Sequence, residues 1–324
     1  MSKTEVLSAT HGIAPRSNEL HILGTDVAKG RASQESWDEQ IATETAAWLE
    51  LQNEAGIDLP EDGKLHWQDH LRPLVKSSKG FTGEADTNPV TRWFETNRFY
   101  RKPTIQGDLE FNFDRFTELY GKPGKHISLL SPYAFLYLCD WDLPQTEQTA
   151  TVLDFYQQII GSLVSNGVQR ITLEGYGFNG GVSADYNQEL ASINPDAQFT
   201  SLNHETATVV PSTGSVNLGF DLTKHVGYID TEPKSYTVQG ETITLQPPDY
   251  STKELWISVI EASNTDTSGN IEEAKLCLRK FRPAKLVITH DTDLEQVPLK
   301  YAQEKVKQLG GFAAELSEYV ETKL

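Results

Sequence analysis

The sequence predicts a (β/α)8 barrel of the TIM type, in one domain spanning residues 1–324, with an inserted hairpin or long loop. Three observations predict it. Strand-like runs alternate with helical runs or long connections in about eight units, and the chain is long enough for a barrel of roughly 250 residues plus insertions. The strand-like runs are blocks of Val, Ile and Leu rather than strict alternations, as parallel strands covered on both faces require. The first turn, "HGIAPR", lacks the G-x-G-x-x-G phosphate fingerprint, which disfavours a doubly wound open sheet.

Taken in order, "EVLSATHGIAP" reads as a short strand ending in a Gly/Pro turn. In "SQESWDEQIATETAAWLELQNEAGID", Trp37, Ile41, Ala47, Trp48 and Leu51 recur at helical spacing and a Gly stops the helix. "KLHWQDHL" is a candidate strand end. "TRWFETNRFYRKP" reads as a third barrel strand running into its top loop. "HISLLSPYAFLYL" is an apolar run interrupted at Ser131-Pro132. "TATVLDFYQQIIGSLVSNG" is a helix and "VQRITLEGYG" the next strand. "GSVNLGFDL" and "HVGYIDTE" are two short strands, and "YTVQGETITLQPPDYSTK" is a hairpin or long polar loop. "ELWISVIEAS", "NIEEAKLCLRKF" and "AKLVITHDTD" follow as strand, helix and strand, and the chain from Leu299 is helical.

The charge balance is acidic, with 46 Asp plus Glu against 28 Lys plus Arg and a net charge of -18. Most of that surface repels a polyanion, so nucleic acid is not an expected partner. The two cysteines, Cys139 and Cys277, make neither a disulfide framework nor a C-x-x-C metal site. The start of the sequence lacks the apolar run of a signal peptide, and no stretch approaches the roughly 18–20 apolar residues of a membrane span. The expectation is a cytoplasmic protein with no membrane contact.

In a parallel barrel the chemistry gathers at the carboxyl ends of the strands. Those ends hold Thr10-His11, then His66, Asp69 and His70, then Glu95, Asn97 and Arg98, then Ser131-Pro132-Tyr133 and Glu174. Later ends hold Glu261, Asn264 and Asp266, and finally His290, Asp291 and Asp293. Turns favour Asp, Asn and Ser for their own reasons. Glu174 stands out because it follows "RITL", a run that should be buried, and a buried carboxylate needs a partner. His66 and His70 are spaced i, i+4. On an extended segment that is about 13 Å, too far for one metal ion, so no metal is expected.

Several of these stretches resemble the N-terminal half of cobalamin-independent methionine synthase. "APRSNEL" resembles that family's Pro-Arg…Arg-Glu-Leu segment, "LQNEAGID" its Q-x-x-AGID, and "TRWFETNRFYRKP" its T-K/R-WFDTNYHY-x-x-P. "ISLLSPYAFLYL" is similar to its Gly-Pro strand. "ITLEG" is similar to the strand carrying Asp-Glu-Pro, which sets Glu174 on the Glu. "LVITHDTDLEQVPLKYAQE" is similar to its last strand and helix. The order is collinear over nearly the whole chain. The resemblance implies a methyltetrahydrofolate-like ligand and methyl transfer to homocysteine. It also implies a separate zinc-bearing catalytic barrel as partner, because the family's His-x-Cys zinc ligands belong to its other half and this chain has no His-x-Cys. Arg16 matches an Arg that helps hold the folate tail; the Lys after Glu-Leu is His21 here.

A pterin asks for an aromatic face and a carboxylate that accepts its N–H groups. The expected binding residues are therefore His11, Arg16, His66, Asp69, Trp93, Glu95, Asn97, Arg98, Glu174 and Asn264. Two other readings stay open at this point. One is a self-sufficient methyltransferase built on His11, His66, His70, Glu174 and His290. The other is a scaffold barrel without a small ligand, in which the aromatics of "WFETN" pack the core.

Overall fold

The computed structural model describes residues 3–93, 98–175 and 254–324, together with the strands at 198–203, 207–210, 234–238 and 241–245. The chain opens with β1 (Glu5–Ser8), α1 (Asn18–Ala28), α2 (Gln34–Glu54), α3 (Arg72–Lys76) and β2 (Ser78–Phe81). β3 (Val90–Arg92), β4 (Phe99–Arg101), β5 (Thr104–Phe111), α4 (Phe113–Tyr120), β6 (His126–Leu130), α5 (Pro132–Leu138) and β7 (Asp140–Trp141) follow. Then come α6 (Gln145–Ser165), β8 (Arg170–Gly175), β9 (Gln198–Asn203), β10 (Ala207–Val210), β11 (Lys234–Val238) and β12 (Glu241–Leu245). The chain ends with β13 (Glu254–Ile260), α7 (Glu272–Phe281), β14 (Lys285–His290) and α8 (Leu299–Lys323).

Two parallel sheets carry the architecture, which is mixed α/β. In one, β14 lies between β1 and β13 and pairs with both in parallel. In the other, β6, β8 and β9 run parallel and β10 closes the edge antiparallel to β9. Every residue of β6 is buried, and in β14 only the first is not fully so. These are the Val/Ile/Leu blocks of the sequence, covered on both faces as parallel strands are. A single parallel bridge, Ala9 to Leu59, continues the first sheet past β1. Beyond it a side chain does a ladder's work: Glu61 Oε1 accepts the Ser128 amide of β6 at 2.5 Å.

Local signals explain the helices. Ser33 caps α2 by accepting the Ser36 amide, and Trp48 and Ile41 turn into the core beneath it. Ser131 caps α5 by accepting the Ala134 amide at 3.2 Å, and Pro132 takes the first helical position. The interruption in "HISLLSPYAFLYL" is therefore a change from strand to helix. One apolar core gathers Phe135, Phe155, Tyr156 and the residues of β6 and β8; a second gathers α7, α8, β13 and β14.

Three expectations change. "KLHWQDHL" forms turns and bends, not a strand end. Lys64 in it takes a left-handed φ of 49°, which no regular strand accommodates. "TRWFETNRFYRKP" supplies two short antiparallel arms, β3 and β4, rather than a parallel barrel strand. Phe99 in it and Val90 just before it are exposed, which shows the reason: these arms lie outside the doubly covered sheets. Helix α1 was not expected; Ser17 caps it by accepting the Leu20 amide. The expected hairpin is present as β11 and β12, antiparallel from Lys234↔Leu245 to Val238↔Glu241. The expected strands "GSVNLGFDL" and "HVGYIDTE" lie outside the described residues.

Candidate functional site

The last residue of β14 and the residues just past β1 meet at the carboxyl ends of the strands. Past Ser8 the chain reaches His11, whose ring stacks on that of His290 with centroids 4.2 Å apart. His11 Nε2 bonds the His290 carbonyl at 2.8 Å, which leaves Nδ1 facing Glu174 Oε1 at 3.0 Å. Glu174 ends the apolar part of β8 and is 1% exposed. On its other oxygen, Oε2, it faces His70 Nδ1 at 3.8 Å. His70 Nε2 sits 3.0 and 3.1 Å from the two oxygens of Asp293, just past β14. Asp293 accepts from Arg98 at 2.5 Å and from the Ile13 amide at 2.7 Å. Arg98 continues to Glu295 at 2.6 Å. A chain of contacts thus runs from His290 through buried His11, Glu174, His70 and Asp293 to the partly exposed Arg98 and Glu295, with base and acid alternating from His11 onward.

Its charges follow from the contacts. Burial drives the Glu174 pKa up, but the His11 hydrogen bond and the charges of Lys64 and His70 outweigh it and bring it down to about 2. Burial likewise opposes the Asp293 carboxylate, and His70 and Arg98 overcome it, holding that group well below the usual range. Burial lowers the His11 pKa, yet Glu174 more than offsets this and leaves it raised. The stacked neighbour goes the other way: burial and His11 push His290 down to about 3, so it stays neutral. The site holds two buried carboxylates that stay ionised at neutral pH.

A second buried group adjoins the first. Lys64 Nζ lies 2.8 Å from Glu61 Oε1 and also meets the Ser128 hydroxyl. Ser128 Oγ accepts the Gly12 amide at 2.8 Å, which ties this pair to the turn carrying His11. Burial raises Glu61 to about 7 against the pull of Lys64. Glu61 and Glu174 therefore act on stability with opposite signs. The lowered Glu174 contributes stability above pH 4.5 that is lost as the pH falls toward 2. The raised Glu61 contributes stability below 4.5 that is lost as the pH rises toward 7. Each shift is worth about 3 kcal/mol. His290 and His126, held neutral down to about pH 3, add stability above pH 6.5 that is lost as the pH falls, so the urea midpoint is expected to peak near pH 6.5, falling steeply below pH 4.5 and gently toward pH 8. A flat profile from pH 3 to 8 would contradict this assignment.

The predicted residues divide. His11, Glu174, Arg98 and Trp93 come together. Trp93 is buried and stacks on His70 at 5.4 Å, with the Arg98 guanidinium 5.7 Å from its ring centre. Arg16 donates to the carbonyls of Leu65 and Trp67 at 2.6 and 2.5 Å and so holds the loop that delivers His70. Asp69 accepts the Leu71 and Arg72 amides and pairs with the Arg72 guanidinium at 3.1 Å, fixing the start of α3. His66 stacks on Tyr120 at 5.5 Å. Asn264 accepts the Asp266 amide within its own turn. Glu95 and Asn97 lie outside the described residues. The predicted set omits His70, Asp293, His290, Glu61 and Lys64. The first three stand among the strand-end polar residues of the sequence. Glu61 and Lys64 follow a bridge one residue long and carry no periodic signal.

The zinc centre of the resembled family uses thiolates, and this chain offers none here. Cys139 is buried at the end of α5 and Cys277 inside α7, each within an apolar core. Burial raises both thiols, Cys277 to about 12 and Cys139 well above its usual value. Among the described residues, His70, Glu174 and Asp293 bring three nitrogen or oxygen donors within 4.8 Å of one another. Arg98 and His11 already balance the two carboxylates of that trio. The residues do not fit a thiolate zinc site.

No protein-family model matches the chain. Three curated proteins that it resembles carry the name 5-methyltetrahydropteroyltriglutamate–homocysteine methyltransferase. That of Streptococcus suis is 28% identical over 111 residues, 31% of this chain and 15% of the relative. That of Photorhabdus laumondii is 25% identical over 182 residues, 45% of this chain and 24% of the relative. That of Lactococcus lactis is 26% identical over 158 residues, 38% of this chain and 21% of the relative. The matches thus span a quarter or less of those proteins. Among solved structures, a B12-independent methionine synthase from Shewanella sp., in complex with selenomethionine, aligns over 97% of this chain and 99% of its own, with 11% identity and a TM-score of 0.59. A putative vitamin-B12 independent methionine synthase from Listeria monocytogenes aligns over the same shares with 14% identity and a TM-score of 0.61. At these identities the structures establish a shared fold. No described helix is long and apolar enough to cross a membrane.

Proposed function

We propose that this chain, whose relatives by sequence and by fold are cobalamin-independent methionine synthases, is a single (β/α)8 barrel that binds a methyltetrahydrofolate-like donor at its strand ends. In this reading the two parallel sheets are staves of one barrel. The methyl group goes to homocysteine, with the zinc-bearing barrel supplied by a separate protein. One observation carries the reading: a buried carboxylate, Glu174, kept ionised between His11 and His70 at the end of β8. An ionised acceptor in a dry site is what the N–H groups of a pterin call for. Arg98, fixed by Asp293 and Glu295, sets a cation beside it for a ligand carboxylate. Trp93 serves by holding the faces of His70 and Arg98. Arg16 and Asp69 serve at one remove, by fixing the loop and helix around His70.

Titration calorimetry with methyltetrahydrofolate triglutamate tests this directly. Saturable binding is expected, and Glu174→Gln, which keeps the shape and removes the charge, is expected to weaken it about tenfold or more, about 1.4 kcal/mol. No saturation at millimolar ligand would sink the proposal.

A second reading, transfer without a partner, is favoured by one observation. The Shewanella and Listeria methionine synthase chains are matched over 99% of their own length, so they are of this chain's size. Methionine formation by the purified chain alone separates the readings.

A further inference from the structure

The opposite end of the sheets holds a cavity, of about 820 Å³, between the first residues of β6, β8 and β14. It is roughly 15 Å, one strand length, from Glu174. From the geometry we infer that this cavity binds a small multivalent anion bearing phosphate or several carboxylates.

Charge is the first argument. In a chain of net charge -18, Lys122, Lys125, Arg170 and Lys285 all line this one space. Arg170 is held by Glu254 and lies over the Trp256 ring at 5.8 Å, so its guanidinium has a set direction. Lys285 pairs with Glu5 at 3.0 Å. Lys122 and Lys125 stand on the exposed "GKPGK" turn before β6. The two carboxylates in the wall are engaged elsewhere. Asp58 accepts the Ser8 amide at 2.8 Å and the Ser8 hydroxyl at 3.0 Å. Asp62 accepts the Lys64 amide at 2.9 Å.

The second argument is independent of charge. His126 lines the same cavity and is 5% exposed. Its Nε2 is taken by the Thr172 hydroxyl at 2.8 Å; its Nδ1 makes no hydrogen bond of ordinary geometry among the described residues, although the Leu59 carbonyl is near enough to act on the ring. A buried polar atom without a well-formed hydrogen bond carries a desolvation cost that a ligand atom at this place would offset. Burial, then Arg170 and Lys64, lower the His126 pKa to about 3, so the ring is neutral and can present Nδ1–H as a donor. A neutral donor beneath exposed lysines and a fixed guanidinium suits an oxyanion better than a cation. The volume matches that of small-molecule sites, about 300–1,000 Å³.

The test is calorimetry on the full chain with inorganic triphosphate and, in a second arm, citrate, at low salt. Saturable binding is expected, weakening as salt is added. Lys122→Gln with Lys125→Gln, both exposed, is expected to keep the fold and lower affinity about tenfold or more. Binding should also shift the His126 ring resonances. Triphosphate alone binding would identify phosphate, and both binding would identify a general polyanion site; either upholds the inference. No saturation in either arm overturns it. So does binding that leaves His126 unmoved or survives the double substitution, since the anion then sits elsewhere.

Discussion

Asp293→Ala is expected to cost about 3–5 kcal/mol, seen as a lower urea midpoint with an unchanged m-value. Asp293 is wholly buried and meets three groups at once: His70 Nε2, the Arg98 guanidinium and the Ile13 amide. Alanine leaves a largely buried guanidinium with one partner fewer and a buried amide with none from this side chain. The loss is large because the survivors carry their desolvation uncompensated, not because the ion pair itself is strong. Asp293→Asn separates the two effects. It keeps an oxygen for Ile13 and removes the charge, so it should recover part of the stability. Ligand affinity should stay low, because Arg98 and His70 lose the charge that positions them. A cost below about 1 kcal/mol for alanine would mean that water replaces the carboxylate and that the chain of contacts is exposed there.

Much of the fold was legible because parallel strands covered on both faces leave a plain trace. β6, β8, β13 and β14 are blocks of Val, Ile and Leu, and each was readable in place. Glu174 was legible for the same reason, as a carboxylate at the end of a buried run. His70 and Asp293 were visible as strand-end polar residues, but nothing in the sequence says that residues 223 positions apart share a bond. Glu61 and Lys64 were hidden more deeply. They stand where a strand is reduced to one bridge, and a buried Lys–Glu pair at i, i+3 looks like any surface pair on paper. "TRWFETNRFYRKP" misled in a specific way. It reads as a third barrel strand, whereas Trp93 and Tyr100 reach the core from a short antiparallel pair whose Phe99 faces out. The same segment still delivered Arg98 to the site.

Gly12→Ala tests whether the site is rigid, and the effect is expected to be about 3 kcal/mol of stability with loss of ligand binding. Gly12 has a φ of 75°, where an alanine is strained by about 1–2 kcal/mol whatever the space around it. Space is also lacking, since a Cβ there would lie 2.1 Å from Asp293 Oδ1 and 3.4 Å from Glu174 Oε1. Oδ1 cannot swing away cheaply, because His70, Arg98 and Ile13 hold that carboxylate from three directions. Moving it breaks at least one charge-assisted hydrogen bond, about 1.5–3 kcal/mol. The double substitution decides between strain and clash. With Asp293 already alanine the overlap is gone, and Gly12→Ala should then cost only its backbone share. A coupling of about 2 kcal/mol between the two positions follows. Simple additivity would mean that the carboxylate relaxes freely, and the turn carrying His11 would then be a passive connection rather than the part that sets the distance between Glu174 and Asp293.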